Sequence, residues 1–382
     1  CFIFLKTSLI QAQGNIHAGN LEIHPLLGIK ETYDDNIFLT NITEKDDFIT
    51  TVTPGIAFRL PKNENLFTLS YLVDLNSFSD YDDQNYQNHV LSGLADIRSP
   101  SGLYLTLKDT YLYTSDPANS ELTDRQERQT NLGSASLGKL FGERFELALT
   151  YDNEVIDYKD VRYREENRDR QAIGTTLYFR VLPKTSLLLE YNYGEINYYD
   201  GGYDDSSFNI ISTGLRWDAT AKISGTIKGG YEWRDYKNED FIRRNDKDLW
   251  VIAGDIQGNL TEQAKLSLLL KRGLIESTFT NNSYFINSRV ALKLDQKIGE
   301  KFAVLPGGYY EKSEYPEAVV DPLTNNTKDR EDDLVGLELE LNYQIQEWLK
   351  AGLGYKYLSR ESNFDSYDYI DNRVFATLSA VL

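Results

Sequence analysis

The sequence predicts an all-β protein: a transmembrane antiparallel up-and-down β-barrel of about 18 strands, with short periplasmic turns and long extracellular loops. Three observations carry this. Apolar residues alternate with polar ones over segments longer than the five or so residues of an ordinary globular strand. Short turns and long polar loops alternate strictly along the chain. One tyrosine recurs at a spacing of forty residues, each time on the apolar side of a strand.

The first hairpin sets the pattern. Pro25 to Tyr33 leads into a polar tip, Asp34-Asp35-Asn36, and the chain returns through Phe48 to Leu60. On the return leg Val52, Pro54, Ile56, Phe58 and Leu60 share one parity, opposite Thr51, Thr53, Gly55, Ala57 and Arg59. Period two puts these sets on opposite faces of a strand. The same alternation holds for Phe67, Leu69, Tyr71 and Val73, for Leu103, Leu105 and Leu107, and for Phe145, Leu147, Leu149 and Tyr151. It returns in Leu187, Leu189 and Tyr191, in Val335 to Tyr343, and in Leu349 to Tyr357.

Short turns are expected at Pro61–Glu64, Ser99–Gly102, Phe141–Glu143, Pro183-Lys184, Ala219–Ala221, Thr261-Glu262, Gly299-Glu300 and Gln346-Glu347. Long acidic tips lie between them, such as Ser79–Asn85, Ser115–Arg128, Asp160–Arg168 and Tyr315–Asp332. A soluble sandwich has no reason to keep its long loops on one side. An outer-membrane barrel does.

Tyr71, Tyr111, Tyr151, Tyr191 and Tyr231 form the tyrosine series, extended with drift by Tyr310 and Tyr355. A ring that is apolar and a hydroxyl that seeks water suit the headgroup level. The series is therefore expected to form an outer aromatic girdle, with Trp217, Trp233 and Trp250 near it or slightly deeper.

The bulk numbers fit this reading. Mean hydropathy is −0.48, and no interior run approaches the roughly 18 apolar residues of a membrane helix. A barrel keeps a polar mean because its two faces alternate. The formal charge of −19 argues against nucleic acid as a partner. Cys1 is the single cysteine, so no disulfide framework or thiolate metal site is expected. Phe2-Ile3-Phe4-Leu5, Lys6 and Leu9-Ile10 resemble the h-region of a secretory signal, and the chain contains no Met. Residues 1–21 are read as a remnant signal and linker, and residues 22–382 as one barrel domain.

Catalytic chemistry has little to work with. His17, His24 and His89 are the three histidines, and none has ligands at metal spacing. The nucleophile elbow and the Walker loop are both missing. No enzyme, cofactor or metal is expected. The acidic tips Asp80–Asp83 and Tyr203–Asp205 lack the spaced ligands of a calcium loop.

The polar parity of the strands supplies candidate lumen-lining residues. The cations are Arg59, Lys108, Arg180, Arg216, Lys228, Arg289 and Lys293; the acids are Glu146, Glu190, Glu338 and Glu340. Barrels of this strand number can enclose an aqueous channel. Mixed signs suit neutral or weakly charged polar solutes better than one class of ion.

The opening hairpin also carries a resemblance. Pro25-Leu26-Leu27-Gly28, Glu31 to Phe38 (Glu-Thr-Tyr-Asp-Asp-Asn-Ile-Phe), Asp47-Phe48-Ile49 and Thr53-Pro54-Gly55 resemble the putative β-barrel porin 2 family. The resemblance implies an outer-membrane channel that serves exopolysaccharide export, with a periplasmic polysaccharide export protein as partner beside outer-membrane lipid and lipopolysaccharide. Residue pattern alone leaves two alternatives: a passive porin for small polar solutes, and a structural or adhesive barrel. Oligomeric state, monomer or trimer, stays open.

Overall fold

The computed structural model describes residues 16–117, 119–121, 123–199, 205–218, 222–237, 247–278, 282–320 and 327–382. The apolar segment from Phe2 to Ile10, Cys1, the Ala219–Ala221 turn and Tyr203-Asp204 lie outside the described residues.

The main sheet holds nineteen strands. One is the three-residue arm Ile16–Ala18, which folds back on the first barrel strand. So part of the segment expected to be linker belongs to the sheet. The other eighteen form the wall. These are β1 (Leu21–Asp34), β2 (Asp47–Lys62), β3 (Asn65–Phe78), β4 (Tyr86–Arg98), β5 (Leu103–Thr114) and β6 (Arg128–Phe141). Next come β7 (Phe145–Tyr158), β8 (Arg168–Leu182), β9 (Thr185–Tyr198), β10 (Ser206–Trp217), β11 (Ile223–Tyr236) and β12 (Lys247–Thr261). The last six are β13 (Ala264–Glu276), β14 (Tyr284–Ile298), β15 (Phe302–Glu314), β16 (Glu331–Gln346), β17 (Leu349–Ser362) and β18 (Tyr369–Val381).

Each strand pairs antiparallel with the next in sequence, and β18 pairs back onto β1 from Leu26↔Val381 to Asp34↔Arg373. The sheet is therefore closed and has no free edge. Strands run from 12 to 16 residues, longer than the roughly 9–11 needed to cross a bilayer at a tilt. The surplus is enough to carry the wall past the hydrocarbon layer.

The expected two kinds of connection are present. Residues 63–64, 183–184 and 262–263 turn in two positions, while 35–46, 115–127 and 315–330 are long. Gly142 and Gly299 sit in short turns at φ +62° and +65°, a region that costs an L residue strain. Near the long-loop end of β15 and β16 a small hairpin, Val319–Val320 with Thr327–Lys328, lies outside the barrel sheet.

The parity split is physical. Leu149, Leu189 and Leu353 are 47%, 53% and 62% exposed on the outer face. Their sequence neighbours Ala148 and Leu188 are buried on the inner one. An outer surface this apolar has no aqueous explanation; it is built to meet lipid.

The Asp34-Asp35-Asn36 tip closes the seam. Asn372 donates to Asp35 from its backbone N (2.7 Å) and its Nδ2 (2.8 Å). Asn36 is fully buried; its Nδ2 donates to Ile370 O at 2.8 Å and to Thr40 O at 2.7 Å, and its Oδ1 accepts from Thr40 N. Arg373 bridges Asp34 (3.0 Å) and Asp371 (2.6 Å). All three residues of the first hairpin tip thus engage the last strand.

Candidate channel lumen

Ladder register puts all eleven polar candidates on the parity opposite the exposed leucines and tyrosines. Most are already paired. Arg216 on β10 grips Glu146 on β7 through Nη1–Oε1 (3.0 Å) and Nη2–Oε2 (2.6 Å), passing over Tyr178 of β8, whose ring lies 3.7 Å from the guanidinium carbon. Tyr104 of β5 donates to the same carboxylate at 2.8 Å. Its ring crosses Gly138 of β6, where a Cβ would stand 2.1 Å from the phenol carbon. Glycine is needed there for the ring to lie flat on the wall.

Arg180 and Arg216 both reach Asp218, at 3.5 and 3.4 Å. Lys228 pairs with Glu190 at 2.5 Å, and Asn192 donates to that carboxylate. Arg59 forms a bidentate pair with Glu22, Arg289 pairs with Glu311 at 2.7 Å, and Lys356 approaches Glu338 at 3.5 Å. Lys108, Lys293 and Glu340 make no ion pair among the described residues. The sequence reading missed Glu22, Asp218, Glu311 and Lys356. Their parity marked them as inner-wall residues, but nothing local identified their partners.

The outer half of the lumen is crowded. Arg234 is held by Glu232 (2.8 Å) and Glu276. Arg330, fully buried, is held by Asp332 and lies 3.7 Å from the Tyr367 ring. Ala172, Ile196, Tyr198 and Phe208 form an apolar cluster on the inner wall of β8 to β10.

The loop joining β5 to β6 reaches the far wall. Glu121, 1% exposed, accepts from Ser277 Oγ, from Thr278 N at 2.7 Å and from Thr278 Oγ1 at 2.8 Å, just past the end of β13. Arg360 of β17 donates to the backbone oxygens of Ser120 (3.0 Å) and Glu121 (3.4 Å). The β13 anchor lies seven to eight strands away by one route and the β17 anchor six to seven by the other, so the loop spans the bore. Below the rim, between β13 and β18, a hollow of about 270 Å³ remains, lined in part by Arg289, Lys293, Tyr309, Gly336 and Lys356.

The outer face carries the tyrosine series. Tyr71 and Tyr111 share the partner Leu91, Tyr191 and Tyr231 share Ile211, and Tyr151 pairs with Ile173. Tyr71, Tyr151, Tyr191 and Tyr231 are each 38–48% exposed. Hydroxyls bond toward the long-loop end: Tyr71 to His89 Nδ1 (2.7 Å), Tyr191 to Asn209 (2.7 Å), Tyr151 to Gln171 (3.3 Å). His89 is thus an outer-wall residue. His24 faces inward, buried beside Glu22. Trp233 and Trp250 lie near the series, but Trp217 does not: it closes β10 at the short-turn end, because that strand runs away from the long loops.

Three carboxylates, Asp34, Asp35 and Asp371, have oxygens within 4.8 Å of one another. Arg373 and Asn372 already occupy that cluster, as described for the seam.

The family model "Putative beta-barrel porin 2" matches residues 9–381. The chain belongs to this family. Its location is the bacterial outer membrane, and its class is a porin-like channel. No curated protein matches this porin in sequence. Among solved structures it is similar to OccAB4 of Acinetobacter baumannii (10% identity, 95% of this chain and 99% of that one, TM-score 0.50). It is also similar to OccAB2 of the same organism (12%, 95% and 98%, 0.49) and to the outer membrane protein OpdK of Pseudomonas aeruginosa (10%, 94% and 99%, 0.49). At these identities the likeness is one of fold alone.

Proposed function

We propose that this porin is a passive channel for small polar solutes of low net charge. The loop that carries Glu121 to Ser277 and Thr278 supports this reading most directly, because it divides the outer half of the bore. A polymer conduit needs a continuous wide passage, and a loop laid across the bore weighs against the export role implied by the family resemblance, with its periplasmic partner. Ion pairing along the wall supports the solute class. Arg216–Glu146, Lys228–Glu190 and Arg289–Glu311 cancel charge locally and leave hydrogen-bonding edges facing water.

Within this reading the tyrosine series is the lipid-facing girdle, and lipopolysaccharide and phospholipid are its contacts. Liposome swelling with neutral sugars of rising size tests the channel. Entry of small sugars with a sharp size limit is the expected result. Passage of long dextrans, or no swelling with any sugar, would overturn it.

A further inference from the structure

We propose that Glu121 is the positioning residue of the constriction: its carboxylate pins the loop between β5 and β6 to the far wall, and its release widens the bore. This rests on the channel reading above. The loop is held at two places that differ in kind. Its root is fixed on its own side, where Arg125 stacks on Phe78 and Tyr86 at 4.6 and 4.5 Å, and Arg128 donates to Asp116 O and Gln126 O. Its tip is fixed across the lumen in two ways, by the Glu121 carboxylate on Ser277 and Thr278 and by Arg360 on the backbone oxygens of Ser120 and Glu121. Glu121 N donates to Asn119 Oδ1 (2.9 Å), which sets the turn that aims the carboxylate at Ser277 and Thr278.

The hold is neutral rather than ionic. The donors to the Glu121 carboxylate are two hydroxyls and one backbone N–H. Arg360 engages backbone oxygens and Tyr367 O, and Arg330, hydrogen-bonded to Asp332, acts on Glu121 only as a nearby charge that opposes the effect of burial. The other titratable groups facing this site are Tyr158 of β7, Tyr315 after β15, and Glu276 of β13, itself bound to Arg234. A buried carboxylate hydrogen-bonded to no cation is stabilised as the acid where loss of water outweighs the pull of a nearby charge. Burial accordingly raises the Glu121 pKa above its ordinary value.

The sign follows. Docking takes up a proton, so the hold is strongest in acid and weakens as pH rises through the raised pKa, where the bare carboxylate gains by reaching water. The constriction should therefore loosen toward alkaline pH.

Single-channel recording of the whole chain in planar bilayers tests this. Wild-type conductance should rise as the pH is taken from acid to alkaline. Glu121→Gln, isosteric and uncharged, should hold the low level throughout. Glu121→Ala should conduct about twofold more than Glu121→Gln at every pH, since its tip keeps only the Arg360 anchor. Thr278→Val, which keeps the backbone donor, should fall between. A pH-independent wild type, or a Gln variant that still titrates, overturns the inference. Amide exchange at Thr278, compared at one pH, reads the clasp without any current: faster exchange in Glu121→Ala than in Glu121→Gln is expected. Equal protection in both overturns the clasp. No current from any of these proteins overturns the channel reading instead.

Discussion

Arg216 and Glu146 meet across three strands of the inner wall through two parallel hydrogen bonds, with the Tyr178 ring beneath the guanidinium. A bond that skips two intervening strands fixes wall curvature as well as charge. The planar fork of arginine is what spans the gap; lysine would supply a point charge without the second contact.

Arg216→Ala leaves Glu146, about one-tenth exposed, without its cation. Loss of one partner of a buried pair costs about 3–5 kcal/mol, and the water in the lumen should reduce that to about 2 kcal/mol here. The double variant Arg216→Gln with Glu146→Gln should recover most of the loss. Urea unfolding in detergent micelles measures all three, and an unrecovered double variant would count against a direct pairing.

Gly138→Val should impair assembly, because the new Cβ enters the Tyr104 ring. Adding Tyr104→Ser should restore folding, as judged by heat-modifiable gel mobility. If the second change brings no rescue, steric conflict is not the cause.

Asn36→Ala removes two donors and one acceptor from a fully buried clasp. Each unsatisfied partner costs about 1–3 kcal/mol. The temperature at which the folded band converts to the unfolded one should fall, while Asn41→Ala, at an exposed bond in the same loop, should change it little.

Tyr151 tests the girdle. Tyr151→Phe keeps the ring in the interface and loses a 3.3 Å contact, worth about 1 kcal/mol or less. Tyr151→Asp should slow insertion, since charge on the lipid face is costly even near the interface. A tryptophan at this position should be quenched by brominated lipid; an unquenched one would mean the ring faces water.

The wall was legible because its information is local. Alternation within each strand settled both faces, and the contrast between Pro183-Lys184 and the 315–330 connection settled which end carries the long loops. What stayed hidden depends on distance. Glu121 and Ser277 are 156 residues apart, and Arg360 lies 240 from Ser120. No periodicity links them, so the Ser115–Arg128 tip shows in the sequence only as a long acidic loop, while Glu121 at its middle is buried. Glu311 and Lys356 were missed as partners for the same reason. Trp217 was misplaced by a different error. Its aromatic character was taken as a depth marker, whereas depth is set by strand direction.

The clasp between Asn36 and Ile370 joins residues 334 positions apart. The first hairpin is made early and finished last. Until β18 arrives, β1 offers one flank of unpaired amides, and the first of the eighteen wall strands to be made is the one whose second neighbour comes latest. During that interval the molecule is an open ribbon rather than a ring, able to pair with any passing strand. Its most dangerous state is thus a property of its order of synthesis, and a chain stopped short of Tyr369 should aggregate even though seventeen of its strands are intact.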